Sequence, residues 1–232
     1  MVARPVKPNL NTESIDNYLK AILALSGPRE RLVAGKELAD YLHVAPASVT
    51  NMLQKLAALP QPPVDYEMHR GVRLSGSGRR RALEIVRHHR LIETFLYEVL
   101  GYPLEEVHDE AERLEHFISE RFEERIDAKL GHPTIDPHGH CIPELDGRMP
   151  KAPKLTPIPL PEAGGEGPFL VESVEDRDST TLKLLRTNGI RPGVRIRIGG
   201  RNGTGHVSLR LGKRTVDLSP QAARAVCVRQ DA

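Results

Sequence analysis

Tryptophan is absent from this 232-residue chain, and aromatic residues of any kind make up only 4% of it. Its cores must therefore be aliphatic. The two cysteines, Cys141 and Cys227, stand far apart and form no C-x-x-C pair. That excludes a disulfide scaffold and a thiolate zinc site, and a reducing, cytoplasmic setting is expected. No apolar run approaches the roughly 20 residues that cross a bilayer, so no membrane partner is expected. The first eleven residues lack the apolar stretch of a signal peptide. There is no nucleophile motif and no phosphate-binding glycine loop, which argues against a hydrolase.

What is present is sharply divided by charge. The net charge is only +2, yet residues 1–90 carry fourteen lysines and arginines against eight acids. Residues 91–130 reverse this, with four basic residues against twelve acidic ones. A basic section attracts phosphates; an acidic helical section next to it can hold cations. The length allows two or three small domains.

The expected fold is mostly α with a small β domain. Asn11 or Thr12 caps a helix with Ile15, Leu19, Ile22 and Leu23 on one face, and Gly27-Pro28 stops it. A short helix spans about 35–42. Another opens with Pro46 in its first turn and buries Val49, Met52, Leu53 and Leu56. Ala47, Ser48, Thr50, Asn51 and Lys55 remain on its outer part, suited to base edges and phosphates in a major groove. Residues 64–67 and 72–74 read as a hairpin whose Arg70 and Arg73 form a wing against the DNA backbone. Ser75 or Ser77 caps a long helix to about residue 100. Pro103 opens a further helix to about 130, with a break near Ser119. The boundaries expected are 1–75 for a winged helix-turn-helix, 76–145 for a helical metal-binding and dimerisation domain, 146–167 for a Pro/Gly-rich linker, and 168–232 for a small β-barrel.

The most specific chemistry lies in the helical section. His108, Glu112, Glu115 and His116 are spaced i, i+4, i+7 and i+8 and share one helix face; His89 and Glu93 repeat the four-residue spacing on the preceding helix. Facing antiparallel helices would bring six nitrogen and oxygen donors together, as helix-bundle metal sites do. Donors without thiolate favour Mn(II) or Fe(II) over structural zinc.

With both signals in place, the chain resembles the diphtheria toxin repressor family, and within it the manganese transport regulators, in their three-domain form. The residues that carry the resemblance are Ala45 to Leu56, Arg87 to Glu93, Val107 to His116, and Asp136-Pro-His-Gly-His-Cys-Ile-Pro143. Residues 168–229 are similar to the family's SH3-like domain. The resemblance implies a homodimer that binds a palindromic operator when metal is bound, and repression of metal-uptake genes. It implies two adjacent metal sites: a primary one of Asn17, Glu112, Glu115 and His116, and an ancillary one of His89, Glu93 and His108. Glu175, Asp176 or Asp178 would complete the second. Glu112 stands where iron-responsive members carry cysteine, which favours Mn(II). Asn17 replaces the Asp or Met of relatives and Lys20 replaces an acid, with Asp16 as a substitute donor. Two alternatives stay open from sequence: a winged-helix regulator without a metal switch, and a dinuclear metal hydrolase.

Overall fold

The computed structural model describes residues 12–27, 30–150, 157–165 and 167–231. Asn11, Pro28 and Pro153, expected as cap, stop and part of the linker, lie outside them. The chain forms two compact units, one of residues 1–87 with 145–147 and one of residues 88–144 with 148–232.

The first unit holds α1 (Thr12–Ser26), α2 (Gly35–Leu42), α3 (Pro46–Ala57), β1 (Val64–Glu67), β2 (Gly71–Leu74) and the start of α4 (Gly76–Glu98). Pro46 sits in the first turn of α3, where its missing N–H is no loss. Between α2 and α3, His43 takes a left-handed conformation with φ of 55° and lets the chain turn. Leu19, Ile22, Leu38, Val49, Leu53 and Leu56 close an aliphatic core. β1 and β2 pair antiparallel from Val64–Leu74 to Glu67–Gly71. Gly71, expected in the turn, thus opens the second strand. Its φ of +126° and the 2.7 Å from an added Cβ to the Val33 carbonyl leave room for glycine alone. Ser75 starts α4, its hydroxyl accepting the Gly78 N–H at 3.3 Å.

The second unit holds the rest of α4, α5 (Val107–Leu114), α6 (Glu120–Lys129) and a six-stranded antiparallel barrel-like sheet. The helix expected from Pro103 starts later, at Val107, and the break expected near Ser119 separates α5 from α6. Residues 103–106 form a turn closed by Glu106 N–H to the Pro103 carbonyl, and Leu104 is buried. Ser119 caps α6 by accepting the Phe122 N–H. The sheet contains β3 (Ile158–Pro159), β4 (Phe169–Val174), β5 (Arg195–Arg201), β6 (Val207–Leu211), β7 (Arg214–Leu218) and β8 (Val226–Gln230), in the order β3-β8-β4-β5-β6-β7. Helices α7 (Ser179–Thr187) and α8 (Pro220–Arg224) join it.

Residues 157–165, expected as linker, contribute to this domain. Ile158 pairs with Val228, and Leu160 and Ala163 lie in the domain's core. A proline-bearing strand at a sheet edge needs no inward N–H there, so the Pro-rich composition masked it. Within the unit, Arg186 of α7 grips Glu105 with two bonds of 2.8 Å, and the Val174 N–H donates to the His138 carbonyl at 2.9 Å.

Candidate metal centre and nucleic-acid interface

Two helices, α4 and α5 with the turn that follows it, bring the donors together. His89 projects from α4 with a carboxylate on each side of its ring. Its Nδ1 lies 2.6 Å from Glu115 Oε2, and its Nε2 lies 3.0 Å from Glu93 Oε1. The same Nε2 is 3.1 Å from His108 Nδ1, and His108 Nδ1 is 3.4 Å from Glu93 Oε1. Glu112 is more distant, 3.8 Å from His89 and 3.9 Å from His108. One ligand atom from each of His89, Glu93 and His108 lies within 4.8 Å of the others, and the same holds for His89, Glu112 and Glu115. His89 therefore belongs to both groups, whereas the sequence assigned it to one.

The expected shared helix face holds only in part. α5 ends at Leu114, Glu115 is its C-cap, and His116 lies beyond it. His116 Nε2 nevertheless reaches Glu115 Oε1 at 3.2 Å. Asn17 and Asp16 are on α1 in the other unit. Asp16 is buried and accepts two bonds, 2.9 and 2.8 Å, from the Arg81 guanidinium. An arginine-chelated carboxylate is a poor donor to a cation. Of the three acids expected from the SH3-like domain, Asp178 caps α7 through Thr180 and Thr181 and Glu175 is exposed. Asp176 alone is paired with the loop behind the cluster, its Oδ2 3.2 Å from His140 Nδ1.

This loop, residues 132–144, is what the sequence reading missed as a source of donors. Asp136 and His138 are buried beside Glu93. The signal was available, since D-P-H-G-H places three donor side chains within five positions. His88 was also passed over. Its Nδ1 lies 3.2 Å from the Glu115 carbonyl and its Nε2 3.2 Å from Glu123 Oε2, so it fixes Glu115 against α6.

The electrostatics of the cluster suit a cation. Glu93 and Glu115 have no exposed surface, and burial opposes the charge of Glu93. Glu93 is nonetheless held well below the usual carboxylate range, because His89, His108 and His138 outweigh the burial. Burial pushes His140 down, but Asp136 and Asp176 raise it to about 10. Glu93 Oε2 has no hydrogen-bond partner. A buried oxygen without a donor is expensive unless a cation serves it. Imidazole and carboxylate without sulfur suit a hard or borderline divalent ion, so the residues fit the metal that the sequence implies.

The other surface is polar and outward. Along α3, Ala47, Ser48, Asn51 and Lys55 are exposed and Thr50 is half-buried, its hydroxyl bonded to the Pro46 carbonyl at 3.2 Å. On the hairpin, Arg70 pairs with Glu67 and Arg73 with Asp65 at 3.1 Å. All four of these side chains are more than half exposed, so exchanging the acids for phosphates would cost little.

The comparisons agree with this division of labour. Family models described as iron dependent repressor, N-terminal DNA binding domain, and iron dependent repressor, metal binding and dimerisation domain, match residues 11–72 and 75–144. A FeoA domain model matches residues 158–230. The iron-dependent repressor IdeR of Mycobacterium tuberculosis is 34% identical over 169 residues, covering 68% of this chain and 73% of that protein. A manganese-dependent transcriptional repressor solved in complex with manganese superposes with a TM-score of 0.83 at 39% identity, covering 93% of this chain and 99% of the other. ScaR with bound Zn2+ gives a TM-score of 0.78 at 32% identity over 94% and 99%. These relatives are DNA-binding repressors and not enzymes, which removes the hydrolase alternative. Among the described residues no helix is long and apolar enough to cross a membrane. The chain thus belongs to the iron-dependent repressor family of metal-dependent, DNA-binding transcriptional regulators.

Proposed function

We propose that this chain is a manganese-responsive member of that family, a cytoplasmic homodimer that binds a palindromic operator when Mn(II) is bound, with Fe(II) as a second activating ion. The observation that carries the reading is the His89 imidazole, held between Glu115 at 2.6 Å and Glu93 at 3.0 Å. His89, Glu93 and His108 would hold one ion, with Asp176 nearby. Glu112, Glu115 and His116 would hold another, and the part of Asn17 in that set rests on the sequence resemblance. The carboxylate of Glu112, in place of a thiol, supports manganese over softer-ligand ions. So does the likeness to a repressor solved with manganese. A bound divalent ion would supply the positive charge that offsets the burial of these carboxylates.

The dimer is supported by an apolar face on the helical domain. Leu100, Leu114, Phe117 and Phe122 are 39–75% exposed, and with Phe95 and Ile118 they line a depression of about 550 Å³. A contiguous apolar surface of this kind is uncommon on monomers and marks an association site. The two recognition helices of a dimer would then meet half-sites about one DNA turn apart.

The test is a gel shift on duplexes selected from a random pool by Mn(II)-loaded protein, repeated with Fe(II), Zn(II), chelator and the Glu115→Ala variant. Tight binding is expected with Mn(II), weaker or equal binding with Fe(II), and little with chelator or the variant. Equal affinity in all samples would reject the metal switch.

A further inference from the structure

Outside the two groups that share His89, a third set of buried donors converges. Glu93 of α4, with Asp136 and His138 of the 132–144 loop, each offer one ligand atom, and these lie within 4.8 Å of one another. Glu93 and His138 have no exposed surface, and Asp136 has 5%.

The neighbours of His138 determine what its ring presents. Its Nε2 lies 3.2 Å from the Leu104 carbonyl, which can only accept, so Nε2 carries the hydrogen. With one proton on the ring, Nδ1 is then a lone pair; with two, Nδ1 points a proton at Glu93, the arrangement in which His138 helps to hold Glu93 low. Nδ1 faces Glu93 Oε1 at 3.5 Å, a second acceptor. Asp136 is equally constrained. Its Oδ1 accepts the backbone N–H groups of His138 and His140, both at 2.9 Å. Its Oδ2 makes no short hydrogen bond but has two cationic groups beside it, Arg90 Nε at 3.5 Å and His140 Nδ1 at 3.6 Å. Glu93 Oε2, Asp136 Oδ2 and His138 Nδ1 all lack a hydrogen-bond partner. Arg90 and His140 meet the charge of Asp136 from one side, but the Glu93 oxygens and His138 Nδ1 still need a positive species, an ion or a proton, between them.

The loop that carries two of these donors is held on several sides. Asp136 N–H donates to the His140 carbonyl and Ile142 N–H to the Thr134 carbonyl, both at 2.9 Å. Gly139 has a φ of +91°, and a Cβ there would lie 2.0 Å from the Glu172 carbonyl of β4. Such a fixed backbone lowers the entropy lost when the donors close on a ligand.

We propose that Glu93, Asp136 and His138 form a third divalent-cation site. Two carboxylates and one imidazole take a hard or borderline ion such as Mn(II), with water completing its coordination. The site rests on the proposed metal response only through Glu93, which it shares with the His89–His108 group. Through the His138 carbonyl and the Val174 N–H, its occupancy would also reach β4. The competing occupant is a proton on Nδ1, bridging His138 to Glu93.

Anomalous diffraction at the manganese edge, from crystals of the full chain grown with Mn(II), decides between them. Equilibrium dialysis with elemental analysis of wild type, His138→Gln and Asp136→Asn gives the stoichiometry independently. A peak among the three side chains is expected, together with one fewer manganese per chain in His138→Gln while the peaks at the His89 groups remain. Peaks at the His89 groups alone, with equal stoichiometry in all three proteins, would overturn the third site and favour the proton. No manganese anywhere would overturn this site and the proposed function together. Should a variant fail to fold, the wild-type peak stands as the deciding result.

Discussion

The two units place their polar residues in opposite ways. In the first, Leu19, Ile22, Leu38, Leu53 and Leu56 are fully or nearly fully buried, while Ser48, Asn51 and Lys55 face outward. Its folding rests on apolar burial worth about 1.5–3 kcal/mol per large side chain, and the residues proposed for DNA recognition take little part in that. In the second, His89, Glu93, Glu115, Asp136 and His138 are themselves buried, although taking an ionised group out of water costs several kcal/mol. A protein that only needed stability would fill such a space with leucine. On the proposed function, the contrast is between a unit folded to present a surface and one folded to receive an ion.

This comparison can be broken at chosen points. The largest expected effect is on the first unit: Leu53→Ala should lower its stability by about 3 kcal/mol in denaturant unfolding. Manganese binding by the second unit should be unchanged by dialysis. Next, Glu115→Ala should weaken manganese-dependent operator binding by about 100-fold, measured by fluorescence anisotropy, while leaving the helical content seen by circular dichroism intact. Smaller is Asp178→Ala, which removes the α7 cap and should cost about 1 kcal/mol. The Asp178 carboxyl is held below its ordinary value by the Thr181 hydroxyl and the backbone N–H groups it accepts. Its contribution is therefore present above the unfolded value near 4 and lost as pH falls through the folded one, so the variant and wild type should converge in acid. Smallest is Lys55→Ala, which should reduce the slope of log affinity against log salt by about one unit without changing sequence preference.

Much of this was legible because local signals and tertiary structure agree. α2 and α3 fall where Gly35 and Pro46 open them, and β1 with β2 lies on either side of the 68–70 turn. The donors on α4 and α5 were readable from four-residue spacing. The rest depended on contacts distant in sequence. Nothing near Pro103 announces that residues 103–106 will turn before α5, since the contacts made there come from His138 and Arg186. Asp16 reads as a spare acid until Arg81, 65 residues away, chelates it. Asp176 could be separated from Glu175 and Asp178 only by the strand register that sets it beside His140.

The central claim is that the buried imidazoles and carboxylates of the second unit are completed by a divalent cation. Hydrogen–deuterium exchange of chelated protein, with and without Mn(II), tests it directly. Added Mn(II) should slow exchange in the second half of α4, in α5 and in residues 132–144, and leave β5 to β7 as they were. Identical exchange in those segments with and without the ion would contradict the account.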